Sequence, residues 1–258
     1  MLAGAYFAQC VHFRIYDEQM TTPDAKPRFF ALIPCAGSGS RAGTDRPKQY
    51  QLVAGHALVW HTLQAFRDVP AVSGIAMVVS PDDHIFRQVC PDFNRPGDLL
   101  ATVGGSTRAA SVCNGLKMLL RQTAGPSDWV LVHDAARCLI TPKQIVAVIQ
   151  ACQNDSVGGL LALSLPDTLK SSAAGRVSQT IDRTDKWLAQ TPQMFKIGAL
   201  LAALEAAGDA VTDESSAMEA QGLKPLLVPG SAQNFKVTYP QDFALADAIL
   251  QSRMKAVP

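Results

Sequence analysis

The stretch FFALIPCAGSGSRAGTDRPKQY, residues 29–50, decides the fold class of this chain. A run of apolar residues is followed directly by a glycine-rich segment, which closes on Arg46, Pro47 and Lys48. A glycine-rich turn after a strand presents backbone N–H groups that can bind phosphate. The stretch therefore predicts a buried strand that leads into a phosphate-binding loop.

The same alternation of apolar runs and helical patterns continues to residue 164. The predicted strands GIAMVVS, LLATV, DWVLVHD and GGLLALS are rich in Val, Leu and Ile, which is typical of a parallel sheet covered on both faces. Repeated βα units of this kind predict an α/β fold with a doubly wound, mostly parallel sheet. Ligands bind at the carboxyl ends of the strands in such sheets. The candidate site segments are therefore the glycine loop, Ser80-Pro81-Asp82, Gly104-Gly105 and His133-Asp134.

Two segments, one internal and one N-terminal, depart from this alternation. Residues 164–191 form short, polar, alternating stretches with a turn near Ala174-Gly175, which predicts a projecting β-arm. Residues 1–28 show no clean periodicity, so we expect a tail outside the fold, with Met20 as a candidate natural start. The chain is therefore expected to hold one domain, residues 29–258, with the arm at residues 164–191.

The composition argues against several classes of function. The formal net charge of the 258-residue chain is +1, so no overall field attracts nucleic acid or an anionic membrane. No apolar run approaches the length that spans a bilayer. The six cysteines include no CxxC pair, which argues against a zinc site and against disulfides, and favours reduced thiols. We therefore expect a cytoplasmic protein with no nucleic-acid or membrane partner.

The sequence lacks the defining residues of two common types of phosphate-binding loop. The dinucleotide-binding fingerprint needs an acidic residue about 20 residues after the glycines. No Asp or Glu lies between Arg46 and Arg67. A P-loop needs a lysine after its last glycine, and here Thr44 occupies that position. What remains is a loop that holds a polyphosphate with Arg41 and Lys48, or a plain β–α turn with solvated basic side chains.

An ordered set of motifs resembles the 2-C-methyl-D-erythritol 4-phosphate cytidylyltransferases from about Phe29 to Arg253. After the glycine loop, the motifs are RPKQY, GGSTRAASVCNGL, VLVHDAAR, DTLK, TPQMF, TDESSAME and NFKVTYPQD. The resemblance implies that CTP, with Mg²⁺, reacts with 2-C-methyl-D-erythritol 4-phosphate and releases pyrophosphate, in non-mevalonate isoprenoid biosynthesis. It also implies a Rossmann-like nucleotidyltransferase domain and a homodimer in which the arms are exchanged.

The resemblance implies a catalytic set that surrounds two anions. Arg41 and Lys48 would stabilise the transition state on the triphosphate side, and Lys236 would orient the nucleophilic phosphate. Arg183, carried by the arm, would reach the substrate phosphate in the neighbouring subunit. A phosphate monoester is already an anion at neutral pH, so the chemistry needs no general base. We therefore expect His133 to be a packed strand residue.

The remaining implied contacts divide between CTP and the polyol phosphate. The CTP set is Ala36, Gly37, Ser38, Gly39, Gly104, Gly105, Arg108, Ser111 and Asp134. Asp134 would also bind Mg²⁺, because this ion prefers carboxylate and phosphate oxygens. The substrate set is Arg137, Thr168, Thr191 and Thr212. Cys138 stands where the family more often has proline, and Asp213 and Glu214 are expected to begin a helix.

Two alternatives remain open at this point. A cytidylyltransferase for another polyol phosphate, such as ribitol 5-phosphate, would share nearly every phosphate contact. A non-catalytic nucleotide-binding module would keep the fold, although simple CTP binding needs no second phosphate site. We do not expect fusion to the cyclase that acts later in the pathway.

Overall fold

A computed structural model describes residues 26–37 and 46–255, and its centre is a seven-stranded sheet. The strands are β1 (Phe29–Pro34), β4 (Val72–Val78), β5 (Leu99–Ala101), β6 (Trp129–Val132), β7 (Gly158–Ser164), β10 (Trp187–Lys196) and β11 (Leu226–Pro229). Their order across the sheet is β11-β7-β10-β6-β1-β4-β5. Neighbouring strands are parallel except at β10, which pairs antiparallel with both β6 and β7. The predicted mostly parallel sheet is confirmed.

Helices cover both faces of this sheet. One face carries α1 (Leu58–Arg67), α2 (Phe86–Val89) and α4 (Pro142–Cys152), and the other carries α3 (Arg108–Gln122), α5 (Ile197–Ala207) and α6 (Glu214–Ala220). In β1, Ala31 and Ile33 join the first core cluster, whereas Phe30 and Leu32 join the second. Alternate side chains of a strand point to opposite faces, so an uninterrupted apolar strand needs a helix layer on each side.

The last helix packs beside the carboxyl ends of the strands. This helix is α7 (Pro240–Lys255). The Asp242 carboxylate accepts hydrogen bonds from the N–H groups of Thr238 and Tyr239, both at 2.8 Å, which fixes the first turn. A third core cluster joins α7 to the small hairpin of β2 (Leu52–Val53) and β3 (His56–Ala57) and to the segment after β6.

Strand β10 is an element that the sequence pattern did not predict. It carries Gln190, Thr191 and Gln193, three buried polar residues that hide its apolar pattern. Their side chains are paired with distant segments: Thr191 lies 3.0 Å from His133 Nδ1, and Gln193 Oε1 accepts from the Ser215 N–H at 2.7 Å. Buried polar groups are tolerated where they are hydrogen-bonded in this way. The arm connects the end of β7 to the start of β10. Both of these points lie at the same edge of the sheet, so β10 runs antiparallel to β7.

The arm itself is a separate antiparallel sheet of β8 (Leu169–Ala173) and β9 (Arg176–Ile181). Ala174 and Gly175 at its tip have φ values of 49° and 75°, the pair of positive angles that a two-residue hairpin turn requires. Most side chains of both strands are exposed. The predicted hairpin is therefore present at the predicted turn.

Arg28 ties the N-terminal edge of the described residues to the domain. Its N–H donates to Asp128 Oδ1 at 2.8 Å, and its Nη2 donates to Asp128 Oδ2 at 2.7 Å. Residues 1–25 of the predicted tail, among them the candidate start at Met20, lie outside the described residues. Among the helices of the described ranges, none combines the length and the apolar character needed to cross a bilayer.

Candidate active site

The carboxyl ends of β1 and β6 open into a cavity of about 490 Å³. This is the edge at which ligands bind in doubly wound sheets. The predicted site residues that line it are Ala36, Gly37, Lys48, Gly105, Arg108, Ser111, Asp134 and Lys236. Gly104 lies behind the cavity wall, where an added Cβ would be 2.3 Å from the Ala36 Cβ and 2.8 Å from the Val79 carbonyl oxygen. Glycine at this position lets the loops that follow neighbouring strands touch.

Asp134, which follows β6, is the centre of charge in the cavity. Its Oδ1 accepts a hydrogen bond from Arg108 Nε at 2.8 Å. Its Oδ2 lies 2.9 Å from Lys236 Nζ and 3.6 Å from Arg137 Nε. Burial would raise the pKa of the Asp134 carboxyl, but the three cations hold that pKa well below its ordinary value. Asp134 is therefore ionised at neutral pH, with positive charge on either side of it.

Arg137 is packed beneath this cluster. Its Nη1 donates to the Asn234 carbonyl at 2.7 Å, and its side chain is 12% exposed. The next residue, Cys138, is buried in the core cluster of α7, where burial raises the pKa of its thiol to about 12. Cys138 is therefore a neutral residue of the apolar core. Arg137, which precedes it, still contacts Asp134.

A short 3₁₀ turn, Lys48–Tyr50, holds the start of the glycine loop. The Gln49 side-chain amide donates to the carbonyl oxygens of Cys35 at 2.9 Å and of Gly37 at 2.8 Å. Each of these carbonyls is thereby turned toward Gln49. In a trans peptide the N–H group points opposite to the carbonyl. The arrangement leaves the Ala36 N–H directed away from Gln49, as anion binding by a loop backbone requires.

Lys48 connects this turn to the opposite wall of the cavity. Its Nζ donates to the Val237 carbonyl at 2.8 Å, and the Val237 N–H donates to the Ala136 carbonyl at 2.9 Å. Lys236, the residue before Val237, points to Asp134. Two lysines from distant parts of the sequence are thus held in one cavity.

Ser111, predicted to contact CTP, is buried in the cavity wall. Its hydroxyl accepts from the Gly105 N–H and donates to the Thr107 carbonyl, both at 3.0 Å. Thr107 caps α3 by accepting from the Ala110 N–H at 3.1 Å. The Ser111 hydroxyl therefore fixes the backbone of Gly105, and that backbone faces the cavity.

His133 and Thr191 support Asp134 from inside the protein. The buried His133 ring has Nε2 3.2 Å from the Arg137 carbonyl oxygen and Nδ1 3.0 Å from Thr191 Oγ1. The Thr191 hydroxyl accepts from the Asp134 N–H at 3.1 Å. Burial lowers the pKa of His133 to about 3, so the ring is neutral at pH 7. His133 is thus packed, as expected, and Thr191 is buried with its hydroxyl engaged.

Three predicted substrate contacts lie away from this cavity. Thr168 and Arg183 are exposed on the arm, where the Arg183 guanidinium donates to the Pro166 carbonyl. Thr212 lies beside a second cavity of about 500 Å³, whose walls include Trp187. A single chain therefore does not bring these side chains to the Asp134 cluster.

Part of the predicted triphosphate loop lies outside the described residues. Ser38, Gly39 and Arg41 belong to residues 38–45, which the structure does not describe. Gly37 and Lys48, on either side of that segment, line the cavity wall. The roles of the three undescribed residues stay predictions from the sequence.

The described residues offer Mg²⁺ a single carboxylate in this cavity. Within residues 26–37 and 46–255, no group of three or more His, Cys, Asp or Glu side chains could hold a metal ion. Both oxygens of Asp134 already pair with cations. Mg²⁺ commonly takes one or two carboxylates and completes its shell with substrate phosphates and water. Asp134 fits that arrangement as one ligand of a nucleotide-bound ion, and does not fit an all-protein metal centre.

The sequence did not reveal Gln49 and Glu214 as residues of the site. The buried Glu214 carboxylate accepts from Arg108 Nη1 at 2.6 Å and from Nη2 at 3.0 Å. Burial alone would lower the pKa of Arg108, but Glu214 and Asp134 raise it above its ordinary value. Gln49 and Glu214 lie within the motifs RPKQY and TDESSAME, and that position is the signal by which they could have been found.

Comparison with known sequences gives consistent matches. Residues 29–252 match the family model described as 2-C-methyl-D-erythritol 4-phosphate cytidylyltransferase. The chain is 64% identical over 231 residues to a bifunctional IspD/IspF enzyme of Albidiferax ferrireducens, with 89% of this chain and 54% of that relative covered. It is 50% identical over 242 residues to the 2-C-methyl-D-erythritol 4-phosphate cytidylyltransferase of Cupriavidus pinatubonensis, with 86% and 94% covered. The chain thus spans about half of the bifunctional relative and nearly all of the second one.

The fold also matches solved structures. A crystal structure of a 4-diphosphocytidyl-2C-methyl-D-erythritol synthase is 39% identical with a TM-score of 0.78, covering 88% of this chain and 100% of that chain. The Francisella tularensis 2-C-methyl-D-erythritol 4-phosphate cytidylyltransferase is 32% identical with a TM-score of 0.73, covering 86% and 99%. Sequence and fold comparisons therefore agree.

Proposed function

The chain belongs to the 2-C-methyl-D-erythritol 4-phosphate cytidylyltransferase family, and from this premise we propose the reaction that it catalyses. It transfers the cytidylyl group of CTP to 2-C-methyl-D-erythritol 4-phosphate, a step of non-mevalonate isoprenoid biosynthesis. A phosphate oxygen of the polyol substrate forms a bond to the α-phosphorus of CTP. The bond from that phosphorus to the bridging oxygen breaks, and pyrophosphate leaves. The attacking phosphate monoester is already an anion, so no base has to remove a proton.

The observation that carries this proposal is the Asp134 cluster beside the base of the glycine loop. Both substrates are anions and repel each other, so the site must supply positive charge to both. Lys48 and Lys236 line the same cavity, and Arg108 and Arg137 lie against Asp134. Fixed cations and backbone N–H groups are the main source of catalysis in phosphoryl-type transfer.

The division of labour between the lysines follows from their positions. Lys48 comes directly after the glycine loop and reaches the cavity from that side, so it supports the triphosphate. Lys236 is held by the Asp134 carboxylate at 2.9 Å, which keeps its ammonium group aimed at the site of the second phosphate. Mg²⁺ held by Asp134 together with CTP phosphates would neutralise part of the triphosphate charge. The neutral His133 takes no part in proton transfer.

The proposed active unit is a homodimer in which the arms are exchanged. Thr168 and Arg183 are exposed on the arm of their own chain, so the arm of a second copy is needed to bring such residues to a cavity. Near the base of the arm, Trp187 is 41% exposed and Leu188 is 47% exposed. Large apolar side chains of this kind are commonly covered in an interface between copies.

A cytoplasmic location is proposed on the state of the cysteines. The described cysteines are free thiols, and Cys35, Cys90, Cys138 and Cys152 are buried. Unpaired thiols suit a reducing compartment. Cys113 is only partly buried, so it serves as the probe. Labelling of Cys113 by a membrane-impermeant alkylating reagent only after the cells are lysed supports this location, and rapid labelling in intact cells contradicts it.

Release of pyrophosphate tests the proposed reaction. The purified protein is incubated with CTP, Mg²⁺ and either 2-C-methyl-D-erythritol 4-phosphate or ribitol 5-phosphate. Turnover with the first substrate and little with the second is expected. Faster turnover with ribitol 5-phosphate would favour the other class of polyol-phosphate cytidylyltransferase. CTP binding without turnover of either would favour a non-catalytic nucleotide-binding module.

A further inference from the structure

Glu214 is a fully buried carboxylate that faces the back of the cavity rather than the substrates. Its side chain has no exposed surface, and its two oxygens accept from the two terminal nitrogens of Arg108. A bidentate pair of this kind is both short and directional. A charge of this kind is rarely buried unless it is paired, so its position is a specific feature of the site.

The first turn of α6 is fixed to the central sheet on both sides of Glu214. Asp213 caps the helix by accepting from the Ser216 N–H at 2.9 Å. Gln193 on β10 donates to Asp213 Oδ2 at 2.8 Å and accepts from the Ser215 N–H at 2.7 Å. The residue before Glu214 and the residue after it are therefore held by one buried side chain. Glu214 is therefore held in place independently of Arg108, and it determines the position of the Arg108 guanidinium.

The consequence for Arg108 is that its hydrogen-bonding edges are committed. Nη1 and Nη2 face Glu214, and Nε donates to Asp134 Oδ1 at 2.8 Å. Asp134 Oδ2 is then open to Lys236 Nζ at 2.9 Å, with Arg137 Nε farther away at 3.6 Å. Without Glu214, the terminal nitrogens of Arg108 would be free to turn to other anions at the cavity, such as Asp134 Oδ2 and the substrate phosphates. The ion pair between Lys236 Nζ and Asp134 Oδ2 would then be broken.

We infer that Glu214 is a positioning residue for the transfer reaction, acting through Arg108. It holds the guanidinium so that one edge orients Asp134, and it keeps the other edge from the phosphates. This inference rests on the proposed cytidylyl transfer. It also changes the role expected of Arg108, which was predicted to contact CTP and here acts on CTP through Asp134.

Two substitutions at the same position separate charge from volume. Glu214→Gln keeps the size and removes the charge, whereas Glu214→Asp keeps the charge and shortens the side chain. We expect kcat for pyrophosphate release to fall on the order of 10- to 100-fold in Glu214→Gln, the range for loss of a partner that orients a ligand-binding group. Glu214→Asp should retain more activity than Glu214→Gln. CTP affinity, measured by calorimetry, should not fall along with kcat, because Arg108 keeps its charge and its released nitrogens can contact the phosphates.

The matched control is Glu205→Gln. Glu205 is a half-exposed carboxylate that pairs with Lys117 of α3, the helix that also carries Arg108. Removing it takes away the same charge without touching the cavity, and kcat should not change. A purely structural role for Glu214 would give the opposite order of variants, because the shorter Asp leaves a void that Gln does not. That order, or wild-type kcat in a folded Glu214→Gln protein, would overturn the inference.

A second variant covers the case in which Glu214→Gln does not fold, since breaking a buried ion pair destabilises a protein. Arg108→Lys keeps the positive charge but has one ammonium group, which cannot bridge Glu214 and Asp134 as the planar guanidinium does. We expect a similar loss of kcat in that variant, and unchanged kcat would refute the inference. All variants are compared with wild-type turnover. An inactive wild type would reject the proposed function, whereas an active wild type with unaffected variants would reject only the role of Glu214.

Discussion

The cavity at the strand ends and the β-arm differ in how far their site residues are exposed to solvent. In the cavity, Arg108, Asp134 and Lys236 are in contact and largely shielded from solvent. On the arm, Thr168 and Arg183 are exposed and lie outside the cavity of their own chain. The cavity is assembled by the folding of one chain. In the proposed dimer, the arm residues act only after a second association step.

This difference has a physical origin in the surroundings of each region. The cavity lies at the ends of strands that are buried on both faces, so its side chains are fixed by neighbours from many parts of the sequence. The arm is a two-stranded hairpin with few buried side chains, and such hairpins are marginal unless they pack against something. Changes in the cavity should therefore affect chemistry and stability within a chain. Changes on the arm should affect the use of the second substrate.

The largest effect is expected from Lys48→Ala in the cavity. Removing one charged group that stabilises developing charge should lower kcat for pyrophosphate release on the order of 100- to 1000-fold, as in other preorganised sites. A similar loss is expected for Arg41→Ala on the basis of the family resemblance. The control is Lys143→Ala, which removes an exposed lysine from α4 and should leave kcat unchanged. A wild-type rate in Lys48→Ala would remove the proposed role of this residue.

A matched pair of threonine substitutions compares how much a side chain beside the cavity and a side chain on the arm contribute to stability. Thr191→Val deletes the hydroxyl that accepts from the Asp134 N–H at 3.1 Å and contacts His133. It should lower the free energy of unfolding by about 1–3 kcal/mol, because buried polar groups lose their partner. Thr168→Val on the exposed arm should change it by less than about 0.5 kcal/mol. Urea unfolding of both proteins provides the measurement, and equal losses would contradict the contrast.

A smaller effect is expected in the pH dependence of stability. The pKa of His133 is about 3 in the folded protein because of burial, and is near 6.5 in an unfolded chain. Between these values the unfolded chain binds a proton that the folded protein does not. His133 therefore lowers stability as the pH falls below about 6.5, by at most about 1.4 kcal/mol per pH unit.

The comparison of two histidine variants isolates this contribution. His133→Gln can still accept from Thr191 and donate to the Arg137 carbonyl, and it does not titrate. Its urea midpoint should fall less than that of the wild type between pH 7 and pH 5. His84→Gln, at an exposed position, should keep the wild-type slope. Identical slopes for His133→Gln and the wild type would show that His133 does not carry the effect.

The sequence predicted the apolar framework well, and the physical reason is local. The run GGLLALS corresponds to β7 over its whole length, and the turn at Ala174-Gly175 was found because its conformation favours glycine. A continuous apolar run or a turn residue carries its signal within a few positions. The sequence pattern failed at β10, where Gln193 and its neighbours are polar but buried.

The site shows the same division between local and distant signals. Asp134 was expected at a strand end, and the structure places it at the centre of the charged cluster. Glu214 was expected to begin a helix, and α6 does begin there, with Asp213 as its cap. Its pairing with Arg108, 106 positions away, depends on how α6 is held against β10. No local pattern contains that information.

A heterodimer tests most directly whether cavity and arm from different subunits form one active site. Lys48→Ala and Arg183→Ala chains with different affinity tags are co-expressed, and the mixed dimer is purified. Each homodimer lacks one component in every site. In the mixed dimer, the intact cavity of the Arg183→Ala subunit receives the intact arm of its partner. We predict about half of the wild-type turnover, because one of two symmetric sites is complete. A mixed dimer as inactive as its parents, or full activity in a monomeric wild type, would contradict the shared site.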